Sequence, residues 1–171
     1  MDRFRAAMLT NLALMLLAFA LPQRDAYAQQ PTMKDRIVGT WIYVSVDNVG
    51  ADGSRVPMYG PNPSGVAMFD GNGRYMLLTA RRGQSRFASN NRLQGTADEN
   101  KAVVHDNIAH FGRYTVNEAD GTITFHIETS TFPNWNGTEQ KRPFTLEGDT
   151  LRWVTPGSSG GMAEVVLKRA G

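Results

Sequence analysis

Residues 110–131 read HFGRYTVNEADGTITFHIETST. Two runs of alternating apolar and polar residues flank Glu118-Ala119-Asp120-Gly121, a turn-forming tetrad that reverses the chain. Alternation with a period of two marks a half-buried strand, so the stretch is a hairpin with strands over 110–117 and 121–131. In the second strand Thr122, Thr124, His126, Glu128 and Ser130 share one face, and Ile123, Phe125, Ile127 and Thr129 share the other. Burial puts the apolar set inside and leaves His126 and Glu128 in solvent. A ligand cavity, which needs a few placed polar groups, inverts that choice and turns His126 and Glu128 inward. The sequence leaves both registers open.

The same reading extends outward. Asp70-Gly71-Asn72-Gly73 and Glu147-Gly148-Asp149 are further turns between alternating runs. They predict strands near 38–47, 64–70, 73–80, 139–147, 149–155 and 162–169. With the hairpin this makes an all-β chain: an eight-stranded antiparallel up-and-down meander. Closing such a sheet into a barrel removes its edges, and eight strands leave an interior able to hold one small ligand. Two insertions interrupt the meander. VGADGSRVPMYGPNPSG (49–65) is too rich in Pro and Gly for a helix or a central strand and is read as a long loop. RRGQSRFASNNRLQG (81–95) carries Arg81, Arg82, Arg86 and Arg92, read as a solvated loop. It leads into one mid-chain helix. Thr96 and Glu99 have capping-box spacing, and Val104, Ile108 and Phe111 form one apolar stripe, so the helix is expected to pack on the sheet or plug a barrel end.

The N-terminus sets the expected compartment. MDRFR is followed by an apolar run and then by Ala26-Tyr27-Ala28, which is the pattern of a secretory signal peptide over residues 1–28 cleaved after Ala28. The expected mature domain covers 29–171, exported to the periplasm or the extracellular space, with no stable membrane insertion once the signal is removed. The chain has no cysteine, so no disulfide framework supports it. Net charge is +2, and no basic stripe interleaved with aromatics appears, which argues against nucleic acid as a partner.

The first strand opens on GTWIYVSV (39–46). Further along stand YGPNPSG (59–65), GRYMLLTARR (73–82), RFASNNRLQGT (86–96), HFGRYTVNE (110–118) and FPNWNGT (132–138). Together these segments resemble the bacterial and fungal lipocalin-like domain family, a calycin-type barrel, through most of the mature chain. The resemblance implies a small β-barrel with a cavity, in which Trp41 closes one end beneath a basic residue near the last strand. Lys168 and Arg169 stand at the comparable place. It also implies binding of a hydrophobic small molecule, although some barrels of this type act as isomerases or cyclases. The mid-chain helix departs from typical lipocalins, whose helix falls near the C-terminus.

Alternation places Trp41, Tyr43 and Ser45 on one face of the first strand, Tyr114 and Val116 together on the fourth, and Trp153 inside a later one. Tyr43, Tyr114 and Trp153 are therefore candidate pocket residues for a small apolar or aromatic molecule. Phe132 and Trp135 stand at a rim made by Pro133 and Gly137. In the inverted register His126 and Glu128 supply the polar patch. An enzymatic alternative uses His126 as acid/base with Glu128 or Tyr114, although no nucleophile elbow accompanies them. A third alternative is a fully packed envelope structural or interaction module. The chain's three histidines, without cysteine, lack metal-site spacing, so neither metal nor cofactor is expected.

Overall fold

The computed structural model describes residues 30–158 and 160–171; the predicted signal segment lies outside the described residues. Among the described residues nine strands follow in order: β1 (Gly39–Val49), β2 (Arg55–Pro57), β3 (Ser64–Phe69), β4 (Arg74–Ala80), β5 (Asn107–Asn117), β6 (Thr122–Ser130), β7 (Glu139–Glu147), β8 (Thr150–Pro156) and β9 (Met162–Arg169). From β3 to β9 each strand pairs antiparallel with the next. β1 pairs with both β3 and β9, which closes an eight-stranded barrel. The expected meander is therefore present and closed. β2 is an extra three-residue strand on the far end of β1, inside the segment read as loop. Its Pro57 is tolerated because the strand is an edge.

The two ends of the barrel differ. At one end α1 (Met33–Ile37) is started by a capping box on Thr32 and drives Ile37 into full burial. Trp41 Nε1 donates to the Ile37 carbonyl at 2.7 Å, and the Arg169 guanidinium lies 4.2 Å over the Trp41 ring. Arg169 also donates to the backbone carbonyls of Val38 and Arg36, tying the last strand to the segment before the first. A guanidinium stacked on an indole contributes about 0.5–2 kcal/mol, more when desolvated. Above this plug, Phe69, Tyr75, Tyr114, Phe125 and Trp153 interlock through stacked, edge and tilted contacts of 4.7–6.4 Å.

At the other end α2 (Ala97–Asp106) has the expected capping box on Thr96 and Glu99, but it buries no residue. It neither plugs the barrel nor packs an apolar stripe on it. Asn107 turns to extended backbone (φ −139°, ψ 142°), and Ile108 and Phe111 leave the predicted helix for β5, paired with Thr79 and Met76. Ladder hydrogen bonds outweigh the weak preference of a marginal helix.

Two irregularities reset the inward face. Between Tyr43 and Ser45 the β1–β9 register shifts, so Val46, and not Ser45, follows Tyr43 into the core. Between β5 and β6, Phe111 opposes Thr129 while Gly112 opposes Ile127, which leaves Glu128 as the extra residue of a bulge. Beyond that bulge Ser130 turns inward, although it shares the sequence parity of His126. The bulge depends on Gly112, where a Cβ atom would stand 2.0 Å from the His126 carbonyl oxygen. Gly112→Ala is expected to cost about 3 kcal/mol by urea denaturation, the upper range for overpacking. Gly71→Ala, with nothing within 4 Å of the added carbon, is the matched control and should lie near zero.

Candidate functional site

The inward side of β7 carries Gln140, Arg142, Phe144 and Leu146, in strict alternation with exposed residues. Phe144 and Leu146 are ordinary core and Gln140 is a buried amide, but Arg142 is a guanidinium 3% exposed. It faces a small chamber of about 50 Å³ in the half of the barrel away from α1. The chamber wall also includes Tyr43, Leu77, Thr79, His110, Trp135, Trp153 and Val165. The guanidinium carbon sits 4.4 Å above the Phe125 ring and 5.8 Å from that of Trp153. Arg142 Nη2 donates to Gln140 Oε1 at 2.6 Å, while Nε has no acceptor among the described residues. The indole Nε1 of Trp153 is likewise buried without an acceptor among these residues. A buried polar hydrogen left unmatched costs about 1–3 kcal/mol, and more for a charged group.

The surrounding ionisable groups do not compensate the charge. Burial lowers Arg142 to about 10, so it remains charged at neutral pH. Burial raises the phenol of Tyr43 and pushes that of Tyr59 up to about 12, leaving both protonated. Burial, then the nearby Arg142 charge, lowers His110 to about 3, so its imidazole is neutral. His110 Nδ1 is hydrogen-bonded to Tyr75 Oη at 2.8 Å. The site is a buried cation among neutral aromatic and hydroxyl groups.

The chamber opens toward a mouth of about 730 Å³. Met58, Tyr59, Ile108 and Ser158 line both spaces and form the throat between them. The mouth is walled by β2 and the turn after it, by α2 through Val103 and Val104, and by Phe132. Arg81 on its wall is matched by Asp106, Nε to Oδ1 at 2.6 Å.

The predicted site residues separate into three groups. Tyr43, Trp135 and Trp153 line the chamber, and Phe132 lines the mouth. Tyr114 points inward but belongs to the plugged half, where its hydroxyl donates to the Asp70 carbonyl at 2.8 Å. That placement removes it from the pocket. His126 and Glu128 require correction: the apolar face of β6 is the interior one, with Ile123, Phe125 and Ile127 buried. His126 Nδ1 instead meets Glu139 Oε1 at 2.7 Å on the outer surface. Glu128 takes a two-pronged bond from Arg74, at 2.6 and 3.0 Å. The burial of three large apolar side chains overrides the polar-inward register, so the proposed acid/base pairing with Tyr114 is not assembled.

Sequence reasoning missed Arg142 and His110. The signal for Arg142 was available, since counting back two residues from Phe144 along a period-two strand lands on it. His110 was obscured by the helical stripe assigned across Ile108 and Phe111.

The profile of the lipocalin-like domain family matches residues 38–165. A curated relative, the 4'-hydroxy-3'-methoxypropiophenone carrier protein of Aspergillus oryzae, is 33% identical over 69 residues, 37% of this chain and 62% of the relative. The match thus spans less than two thirds of that protein's length. Among solved structures, a redesigned beta barrel matches with a TM-score of 0.42 at 16% identity, covering 81% of this chain and 95% of the other. An uncharacterized protein from Bacteroides eggerthii matches with a TM-score of 0.40 at 12% identity, over 78% and 98% of the two chains.

The neutral, buried His110 makes stability depend on pH. Its folded value of about 3 lies below the ordinary 6.5, so protonation opposes folding. The contribution is complete above pH 6.5 and declines as pH falls toward 3, by about 1.4 kcal/mol per unit. Urea denaturation between pH 6.5 and 5 should show this slope in the native protein and its loss in His110→Gln.

Proposed function

Because this chain belongs to the lipocalin-like domain family, we propose that it is a carrier that holds a small, partly apolar molecule in the open half of its barrel. The observation that carries this reading is the pairing of an aromatic-walled inner chamber with a wider apolar mouth. Binding sites of this kind are concave, mostly apolar and furnished with a few placed polar groups. The chamber alone is too small for a ring, so the body of the ligand rests at the throat and mouth, against Met58, Tyr59, Ile108 and Phe132. The fungal relative supports the reading by its carrier role toward an aryl ketone. Export belongs to the same proposal and is supported by the charged, apolar and small-residue succession of residues 1–28.

The test uses the tryptophans already in the wall. Trp135 and Trp153 both border the chamber, so a bound aromatic molecule should quench their emission. Titration with 4'-hydroxy-3'-methoxypropiophenone is expected to give saturable quenching. Ala163→Leu, which pushes a branched side chain into the same wall, should weaken it about tenfold, the scale of a few methyl groups of lost space. Linear, unsaturable quenching in the native protein together with no saturable response to any apolar aromatic probe sinks the carrier reading.

A further inference from the structure

The carrier reading leaves Arg142 unexplained, since an apolar cargo needs no buried cation. A guanidinium removed from water costs several kcal/mol unless a counter-charge and hydrogen-bond acceptors meet it. Here the protein supplies one neutral acceptor, Gln140 Oε1, and two aromatic faces. Two buried N–H donors, Arg142 Nε and Trp153 Nε1, belong to residues that line the chamber, and neither has an acceptor among the described residues. What the site lacks is a compact anionic acceptor with at least two oxygen lone pairs.

Resting on the pocket reading above, we propose that the cargo is an amphiphilic monocarboxylic acid, its carboxylate held in the chamber by Arg142 and Trp153 and its apolar body in the throat and mouth. Volume supports the division. The chamber of about 50 Å³ is roughly that of one or two waters, which suits a carboxylate and not a ring. The mouth of about 730 Å³ accepts an aryl or short alkyl body. Charge supports it too, because the hydroxyls of Tyr43 and Tyr59 and the imidazole of His110 around the chamber are all neutral. None of them competes for the guanidinium or repels an anion. A planar carboxylate also fits the fork of a guanidinium better than any single-oxygen acceptor.

The acid and its neutral isostere distinguish this proposal from the carrier reading itself. Calorimetric titration with 4-phenylbutyrate and with 4-phenylbutyramide keeps the apolar body constant and removes only the charge. The acid is expected to bind at least about tenfold more tightly, the scale of a desolvated charge-assisted hydrogen bond. Arg142→Met should abolish the difference by weakening the acid to the level of the amide. Trp153→Phe, which keeps the ring but loses the N–H, should shrink the difference several-fold. Without ligand, Arg142→Met is also expected to raise the thermal midpoint, because it replaces an uncompensated buried charge with an apolar chain. Equal binding of acid and amide by the native protein overturns the acid assignment and leaves the carrier reading standing. Binding of neither overturns both. A large fall in thermal midpoint for both Arg142→Met and Arg142→Lys makes Arg142 a structural cation and likewise overturns the assignment.

Discussion

The barrel rests on the pairing of its first strand with its last. β1 meets β9 along seven residue pairs from Trp41↔Arg169 to Asn48↔Ala163, and this ladder converts a meander with two free edges into a closed surface. At its lower end the seam is fastened by the Arg169 guanidinium over the Trp41 ring and by its bonds to the carbonyls of Val38 and Arg36. The contact joins residues more than a hundred positions apart, so the chain must be nearly complete before the barrel can close. Everything inside depends on that closure, because only a continuous wall keeps Arg142 and His110 from water.

The interior then divides by packing. Toward α1 the large aromatics interlock and the barrel is solid. Away from α1 smaller or polar residues, Thr79, Thr155 and Ala163, leave room. Arg142 stands at the boundary, with Phe125 from the solid half on one side and the chamber on the other. Its strand neighbours Phe144 and Leu146 continue the same inward face into packed core. A single period-two face thus passes from hydrocarbon packing to a charged group within one step, and that step locates the site.

Much of this was legible in the sequence because it follows from alternation and turn chemistry. The eight barrel strands and their antiparallel order come from local patterns that the tertiary structure does not contradict, and the closing role of Trp41 comes from the family resemblance. What the sequence hid depends on phase. A bulge opposite Gly112 shifts β6 by one residue, so Ser130 faces in while His126 faces out, and no composition signal marks that shift. Likewise Ile108 and Phe111 satisfy a helical stripe and a strand face equally well in one dimension, and only pairing with β4 decides between them. Arg142 was missed for a different reason. Alternation places it inward beside Phe144, but arginine is so seldom buried alone that its residue type points the other way.

The helix α2 has a consequence of its own. It walls the mouth yet buries no side chain, and it is held largely by contacts at its ends: the Ala88 amide donating to Glu99 at 2.8 Å and Arg81 bonded to Asp106. Displacing it breaks the bond from the Arg81 amide to the Asp106 carbonyl at 2.8 Å, but no core contact. This wall of the mouth is therefore fastened mainly by a few surface interactions, whereas the barrel beneath it is fastened by its seam. The two can change independently, so the rim can be recut without altering the vessel.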